Sequence, residues 1–379
     1  MADDPIYLDH NATTPLLPEV VDAMQPYLRV HFGNPSSGHV HGRRARAAVD
    51  RARAQVAALI AADPDEVVFT SGGTEANNLA IRGVAAARPG RPRIVTTAVE
   101  HPATAAPCAW LEGQARTCTR VPVDARGLVD LDVARHALTD DTALLTVIHA
   151  HNETGVIQPI AALAGLAHAV GAVVHTDAAQ SLGKLAVDVR ALDVDLLSLA
   201  GHKLYAPKGV GALYVRQGTR VLPFTLGAGH ERGLRPGTEN VASIVGLGVA
   251  CELAARDLDA LARRLLHLRE LLWSLLHADV RGLARSGGPE HCLPNTLSVR
   301  FPGVRGPDVL AAAPELAAST GSACHDGHDE PPAAIVAMGV PPAEALGTVR
   351  LTLGRSSDEP AVRTAAAALT RAWRSLQRA

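Results

Sequence analysis

The stretch "EVVFTSGGTEANNLAIRGVAAA", residues 66–87, joins a strand-like run to a helix-like run through three small residues. "EVVFT" is typical of a buried strand, and "TEANNLAIRGVAAA" has the length and composition of a helix. The turn between them would direct several backbone N–H groups and the Thr74 hydroxyl to one point. Such a helix start binds anions well, because the helix dipole adds to the free N–H groups. An ordinary helix with Thr74 as its N-cap explains the same residues, so both interpretations stay open here.

The same strand–helix alternation continues to about residue 220. Nearly continuous apolar strands that alternate with helices predict a largely parallel sheet covered on both faces, which is an α/β domain. Ligands of such sheets bind beyond the carboxyl ends of the strands, so residues that follow each strand are candidate site residues. The other candidate strands are "RIVTT" (93–97), "ALLTVIH" (143–149), "AVVHTD" (172–177), "DLLSLA" (195–200) and "GALYV" (211–215).

The last third of the chain has a different pattern. A long helical stretch rich in Leu, Ala and Arg runs from about 239 to 278, and a final helix begins near 358. Between them lie the strand-like segments "NTLSVRF" (295–301) and "TVRLTLG" (348–354). This pattern predicts a smaller α+β domain.

We therefore expect two domains. Residues 16–255 are assigned to the large domain, and residues 1–15 and 256–379 to the small one. The first strand, "IYLD" (6–9), precedes the large domain and is a candidate to pair with it.

The composition is that of an ordinary folded protein, since 47% of the 379 residues are hydrophobic and 20% are charged. A formal net charge of −2 without runs of like charge predicts no direct binding to nucleic acid or to an anionic membrane. No apolar run is long enough to span a bilayer, and the acidic start "MADDPIYLDHN" does not resemble a secretory signal. The absence of any CxxC pair favours a reducing cytoplasm over a disulfide framework. The five cysteines are Cys108, Cys118, Cys251, Cys292 and Cys324.

Lysine occurs only at Lys184, Lys203 and Lys208. Lys203 follows the strand "DLLSLA", one strand beyond Asp177 at the end of "AVVHTD". Either residue alone is more often an ordinary surface or turn residue. Together with the anion site after "EVVFT", they meet the needs of pyridoxal 5'-phosphate (PLP): a helix start for the phosphate, a carboxylate for the pyridine nitrogen and an amine for the Schiff base. His101 is a candidate to stack on the ring or move protons, although a lone histidine is more often structural.

Nine motifs follow one another from residue 7 to about 355: "YLDHNATTP", "FGNPSS", "FTSGGTEANN", "VEHPA", "NETG", "HTDAAQS", "GHK", "GHERGLRPGTEN" and "STGSAC". In this order they resemble the signatures of the cysteine desulfurase family, a class V aminotransferase-like group, in its subgroup with an "SGSAC"-type loop. Selenocysteine lyases are close relatives. The resemblance covers essentially the whole chain. It implies the PLP-dependent fold type I of the aspartate aminotransferase kind, a homodimer, and conversion of L-cysteine to L-alanine with sulfur passed to an acceptor protein.

The resemblance also implies a role for each matching position. Lys203 carries the Schiff base and later shuttles protons, Asp177 pairs with the pyridine nitrogen, and His101 stacks on the ring. The other implied contacts are Gln180 with the ring oxygen, Gly73, Thr74, His202 and Thr238 of the partner subunit with the phosphate, and Asn152 and Arg350 with the substrate carboxylate. The planar fork of an arginine suits a carboxylate.

Three residues depart from the family pattern. His151 replaces the usual asparagine before Asn152. Ala200 replaces a serine, which removes one phosphate hydrogen bond worth about 1–3 kcal/mol if it is charge-assisted. Pro102 follows His101 and is expected to alter how that side of the pocket recognises sulfur or selenium.

The segment "GSACHDGHDE", residues 321–330, places Cys324 in a loop at about 320–332. The resemblance implies that Cys324 takes the substrate sulfur as a persulfide, and the nearby His325 and His328 are candidates to assist its deprotonation. A zinc site made by these three residues and Asp329 is the alternative. Adjacent side chains such as Cys324 and His325 rarely converge on one tetrahedral ion, so we expect no metal site.

Two other functions remain open at this stage. Selenocysteine lyase chemistry would use the same residues with selenocysteine as substrate. A catalytically retired sulfur-assembly scaffold or metal-binding protein would keep the fold without the cofactor.

Overall fold

The computed structural model describes residues 4–321 and 330–378. Within these ranges the chain forms twelve strands and eleven α-helices. The strands are β1 (Ile6–Tyr7), β2 (Val67–Thr70), β3 (Arg93–Thr97), β4 (Thr117–Val121), β5 (Thr142–Ile148), β6 (Val173–Asp177), β7 (Leu196–Ala200), β8 (Gly211–Val215), β9 (Ala284–Arg285), β10 (Thr296–Arg300), β11 (Leu316–Ala317) and β12 (Thr348–Thr352). The helices are α1 (Pro18–Arg29), α2 (Val40–Leu59), α3 (Gly73–Ala87), α4 (Pro102–Glu112), α5 (Leu131–Ala137), α6 (Ile160–Ala169), α7 (Val241–Asp279), α8 (Gly306–Ala311), α9 (Ala333–Ala337), α10 (Pro342–Ala345) and α11 (Glu359–Leu376).

A seven-stranded sheet forms the centre of the large domain, in the order β2-β8-β7-β6-β5-β3-β4. β8 pairs antiparallel with β2 and β7, whereas the other neighbouring pairs are parallel. The central strands β5, β6 and β7 are buried along their whole length, as the mainly apolar sequences of β5 and β7 predict. The predicted fold class, a mostly parallel α/β sheet with a smaller α+β domain, is confirmed.

Polar side chains define where several helices begin. The side chain of Asn240 accepts a hydrogen bond from the Ser243 backbone at the start of α7. Asp358 caps α11 in the same way by accepting from the Ala361 backbone at 2.8 Å. Each cap satisfies a backbone N–H that has no partner within its helix.

The small domain is built on the three-stranded sheet β12-β10-β9, in which both pairings are antiparallel. The position of the first strand in the sequence suggested that it would pair with the large sheet, but it does not. β1 instead pairs in parallel with β11, and Asp9 forms a bridge with Thr352 at the end of β12. The chain therefore begins in the small domain and then crosses into the large one.

Helix α7 runs through both hydrophobic cores. Its residues as far as Ala254 pack into the core of the large domain, and its residues from Leu261 onward pack into the core of the small domain. Gly248 lets α7 approach α2 closely, because a Cβ there would lie 2.7 Å from the Cα of Ala52. The domain boundary at 255/256 stays a prediction.

Each predicted strand agrees with an observed strand to within two residues at either end, and β3 and β8 match their predicted ranges. β4 was missed because "TCTRV" is polar and lies at the sheet edge, where the apolar signal is weak. No helix among the described residues is both long and apolar enough to cross a membrane.

Candidate active site

A cavity of about 480 Å³ lies beyond the carboxyl ends of the parallel strands. Asp177 is the last residue of β6, and Lys203 lies in the turn that follows β7. The strand-end rule thus located both residues correctly. The predicted site residues that line this cavity are Gly73, Thr74, His101, Asn152, Asp177, Gln180, His202, Lys203 and Arg350.

Asp177 and Lys203 are each held by specific hydrogen bonds. One Asp177 oxygen accepts from the Asn77 amide at 2.7 Å and the other accepts from the Ala179 backbone at 3.0 Å, which fixes the carboxyl plane. The Lys203 amine donates to the backbone oxygens of Asn11 and Ala12, the latter at 2.8 Å. The amine and the carboxylate therefore have defined positions in the cavity wall.

His101 is the N-cap of α4, and its Nδ1 accepts from the Ala103 backbone at 3.0 Å. This bond requires an unprotonated Nδ1 and leaves Nε2 as the ring position for a proton. Burial lowers the pKa of His101, and nearby Lys203 lowers it further against the opposing effect of Asp177. Pro102 occupies the first turn of the same helix, where its missing N–H is no loss.

The start of α3 borders the cavity near the end of β7. The N-cap of α3 is Gly72, at a φ of 151°, and not Thr74, which lies inside the first turn. Close approach explains two further glycines. A Cβ on Gly73 would lie 3.2 Å from the Ala200 Cβ, and a Cβ on Gly211 would lie 2.7 Å from the Gly72 Cα. Gly73 and Thr74 line the cavity, so the backbone at this helix start is accessible to an anion bound there.

His202 adds a neutral imidazole to this side of the cavity. Its Nδ1 lies 3.2 Å from the Thr13 hydroxyl, and burial together with the nearby Lys203 and Lys208 lowers its pKa to about 4.

Arg350 lies on β12 and is almost fully buried. It forms a 2.7 Å ion pair with Asp9 and donates to the backbone oxygens of Asn152 and Gly321 at 3.1 and 3.4 Å. Its buried Nε has no hydrogen-bond partner among the described residues. Sequence reasoning found Arg350 but missed Asp9, although Asp9 lies within the motif "YLDHNATTP".

His151, which replaces the usual asparagine, is fully occupied by structural hydrogen bonds. Its Nδ1 accepts from the backbones of Glu153 and Thr154, both at 3.2 Å, and a further hydrogen bond joins the ring to the Val99 backbone. Burial lowers the pKa of His151 to about 3. The ring is therefore neutral, and its hydrogen bonds stabilise the turn that contains Asn152.

Glu100 is a cavity residue that sequence reasoning missed. One of its oxygens accepts from the Thr97 hydroxyl at 2.7 Å and the Ile148 backbone at 3.0 Å. Its other oxygen is buried without a hydrogen-bond partner among the described residues. Burial, with the nearby charge of Asp177, raises the pKa of Glu100 to about 8. The only sequence signal was its place beside His101 in "VEHPA".

Asn11 connects the other residues of the site. Its backbone oxygen accepts from Lys203 and, at 2.9 Å, from Gln180. Its side-chain amide donates to the Asn152 backbone at 3.1 Å, and its side-chain oxygen accepts from Lys184 at 3.1 Å. Asn11 also belongs to the first motif, but only the fold reveals its contacts.

Thr238 is exposed and does not line this cavity. Cys324, His325, His328 and Asp329 lie outside the described residues, so the persulfide and zinc hypotheses stay predictions. Residues 321 and 330–332, on either side of that segment, do line the cavity. Elsewhere in the described chain, no group of three or more His, Cys, Asp or Glu side chains is placed to bind a metal ion.

The residues around the cavity fit PLP. The helix start at Gly72 and Gly73 suits a phosphate, the fixed carboxylate of Asp177 suits a protonated pyridine nitrogen, and Lys203 supplies a primary amine. The carboxylate and the amine are each held by neighbouring hydrogen bonds.

Comparison with known proteins agrees with this fit. The family model "Aminotransferase class-V" matches residues 6–364. A cysteine desulfurase from Gluconacetobacter diazotrophicus is 45% identical over 358 residues, covering 93% of this chain and 90% of that protein. Cysteine desulfurase NifS from Azotobacter vinelandii is 43% identical over 362 residues, covering 95% and 90%. A solved NifS-like protein superposes with a TM-score of 0.91 at 34% identity and covers 99% of this chain and all of that one. The chain therefore belongs to the class V aminotransferase family, within its PLP-dependent cysteine desulfurases.

Proposed function

We propose that this protein converts L-cysteine to L-alanine with PLP as cofactor, captures the sulfur on Cys324 and passes it to an acceptor protein. One observation carries the proposal. A single cavity brings together Lys203, Asp177 and His101 with the candidate substrate ligands Asn152 and Arg350.

Each cofactor contact has a candidate residue. Lys203 would hold the cofactor aldehyde, Asp177 the pyridine nitrogen and Gln180 the ring oxygen, while the start of α3 and His202 would hold the phosphate. When bound, PLP serves as an electron sink for negative charge at the substrate Cα. The Lys203 amine is then the group placed to carry the Cα proton.

Arg350 is the candidate ligand for the substrate carboxylate. Its guanidinium is already paired with Asp9 and has an unpartnered Nε. A substrate carboxylate would therefore share or displace Asp9, while Asn152, which lines the same cavity, is the second candidate ligand. This competition favours a ligand with a full negative charge over a neutral amide.

Cys324 is the candidate sulfur acceptor within the protein. Its thiolate attacks the substrate sulfur, so that a S–S bond forms while the C–S bond breaks with its electrons left on carbon. The carbon is then protonated, which yields alanine and a persulfide on Cys324. The neighbouring residues 321 and 330–332 already border the cavity.

We also propose a homodimer in which Thr238 reaches the phosphate of the partner subunit. Exposed apolar side chains support this assembly, since Phe32 is 79% and Leu226 is 86% exposed. Mass measurement by light scattering tests it, and Phe32→Glu is expected to weaken the dimer. The four cysteines in the described part of the chain are free thiols, which suits the proposed cytoplasmic location.

Borohydride reduction followed by peptide mapping tests the central assignment. The cofactor should be trapped on Lys203, and Lys203→Ala should lose all turnover. Cys324→Ser should keep the visible absorption of bound cofactor but form no persulfide. Normal alanine production by the serine variant would overturn the role of Cys324.

A selenocysteine lyase would show a much higher kcat/KM for selenocysteine than for cysteine. A retired scaffold would purify colourless and free of cofactor. Both outcomes can be read from the wild-type protein.

A further inference from the structure

Lys184 is a buried amine that the reaction above does not use. Lys184 follows Gln180 by four residues, across a turn that contains Gly183, and the residue is only 7% exposed. The amine donates to the side-chain oxygen of Gln180 at 2.7 Å and to that of Asn11 at 3.1 Å. Both bonds lead toward the wall of the cofactor cavity.

The two ends of the Gln180 amide are thereby distinguished. Its oxygen accepts from Lys184, and its NH2 group donates to the Asn11 backbone oxygen at 2.9 Å. A backbone oxygen can only accept, so a flipped amide would place two oxygens against each other. The hydrogen-bond network therefore orients Gln180 with its donor end toward the backbone of Asn11, and both residues line the cavity.

A lysine is a costly residue in this position. Burial lowers the pKa of Lys184 well below its usual value, and the nearby positive charges of Lys203 and Arg350 lower it further. A leucine or methionine would fill the space without this penalty. The amine donates a hydrogen bond to the Gln180 oxygen, which an apolar side chain could not do.

We propose that Lys184 is a positioning residue that orients the Gln180 amide so that its NH2 group meets the anionic ring oxygen of bound PLP. The inference rests on the proposed function. Lys184 does not touch the cofactor and acts only through Gln180.

Direct action on Lys203 is the rival explanation. Lys184 and Lys203 both donate to Asn11, and the charge of Lys203 lowers the pKa of Lys184, so each amine can influence the other. A change in the charge of Lys184 would then alter the Schiff-base amine without any help from Gln180.

A double-mutant cycle on the holoenzyme separates the two explanations. The variants are Lys184→Met, Gln180→Met and the double variant, with Lys208→Met as a matched exposed control. The measured quantity is the midpoint of the pH-dependent change in the visible absorption of the bound cofactor. Without the N–H donor the ring oxygen becomes a stronger base, so each single variant should move the midpoint upward by about one pH unit. The double variant should match Gln180→Met, and Lys208→Met should match the wild type.

A further upward shift when Lys184→Met is added to Gln180→Met would show direct action on Lys203 and refute the proposal. An unchanged midpoint in Lys184→Met would also refute it. If that variant yields no folded holoenzyme, Lys184→Gln gives a second test, because its amide keeps an N–H donor for the Gln180 oxygen but removes the amine. Its midpoint should stay at the wild-type value, and an upward shift would count against the proposal. Failure of the proposed function would instead appear as a wild-type protein without cofactor on Lys203.

Discussion

Replacing Glu100 by glutamine should change how the stability of the protein depends on pH. Glu100 is buried beside the cavity with one oxygen unpartnered among the described residues, and its pKa is raised to about 8. In the unfolded chain the same carboxyl titrates near 4.5. Between these values the folded state holds a proton that the unfolded state has lost, so the free energy of unfolding falls as pH rises.

The size of the effect follows from that interval. Each pH unit in which the two states differ by one proton is worth about 1.4 kcal/mol. Between pH 5 and pH 8, wild-type apoprotein should lose about 3 kcal/mol of stability through Glu100 alone. Glutamine does not titrate, but its NH2 group would occupy the unpartnered position at a cost of about 1 kcal/mol. Glu100→Gln should therefore be slightly less stable than the wild type at pH 5 and more stable at pH 8.

Urea unfolding of the apoprotein at pH 5, 6, 7 and 8, at one protein concentration, measures the difference. Exposed Glu19 provides the control variant Glu19→Gln, which should follow the wild-type curve. Parallel pH curves for Glu100→Gln and the wild type would show that Glu100 is not held protonated in the folded protein.

Three further substitutions test other parts of the structure. Arg350→Lys should raise KM for cysteine about tenfold or more while leaving cofactor absorption unchanged, because lysine lacks the planar fork. Glu231 forms a 2.6 Å ion pair with Arg53, and its side chain is only 2% exposed. Glu231→Gln breaks this pair and should lower the free energy of unfolding, measured in urea, by about 3 kcal/mol. The exposed ion pair between Glu359 and Arg363 should contribute less than about 0.5 kcal/mol to the free energy of unfolding in the same assay. His151→Asn should raise KM without changing the shape of the activity profile between pH 5 and 9, because the pKa of His151 is about 3 and the ring stays neutral there.

The large sheet could be predicted because its central strands carry a strong apolar signal and end in the residues of the site. β5, β6 and β7 are buried along their whole length; β5 and β7 are mainly apolar, and β6 begins with two valines before its polar end at Asp177. β4 escaped because an edge strand with one exposed face carries polar residues. The pairing of β1 with β11 joins residues about 310 positions apart, and no local pattern encodes such a contact.

The site residues likewise divide into those that the sequence predicts and those that only the fold reveals. Lys203 and Asp177 stood out because they are chemically distinctive residues at strand ends. Glu100, Asn11 and Lys184 act through contacts between segments far apart in sequence, and their types have many ordinary uses. In the sequence His151 was only a departure from the family pattern, whereas its hydrogen bonds show that it stabilises the turn that contains Asn152.

Helix α7 affects how the two parts of the candidate active site are held relative to each other. The helix is continuous over 39 residues, contains no proline and anchors in both domain cores. Rotating one domain against the other would break backbone hydrogen bonds within α7. Lys203 follows β7 of the large sheet and Arg350 lies on β12 of the small sheet, and both line the same cavity. A continuous helix anchored in both cores therefore limits how far the separation of these two side chains can change.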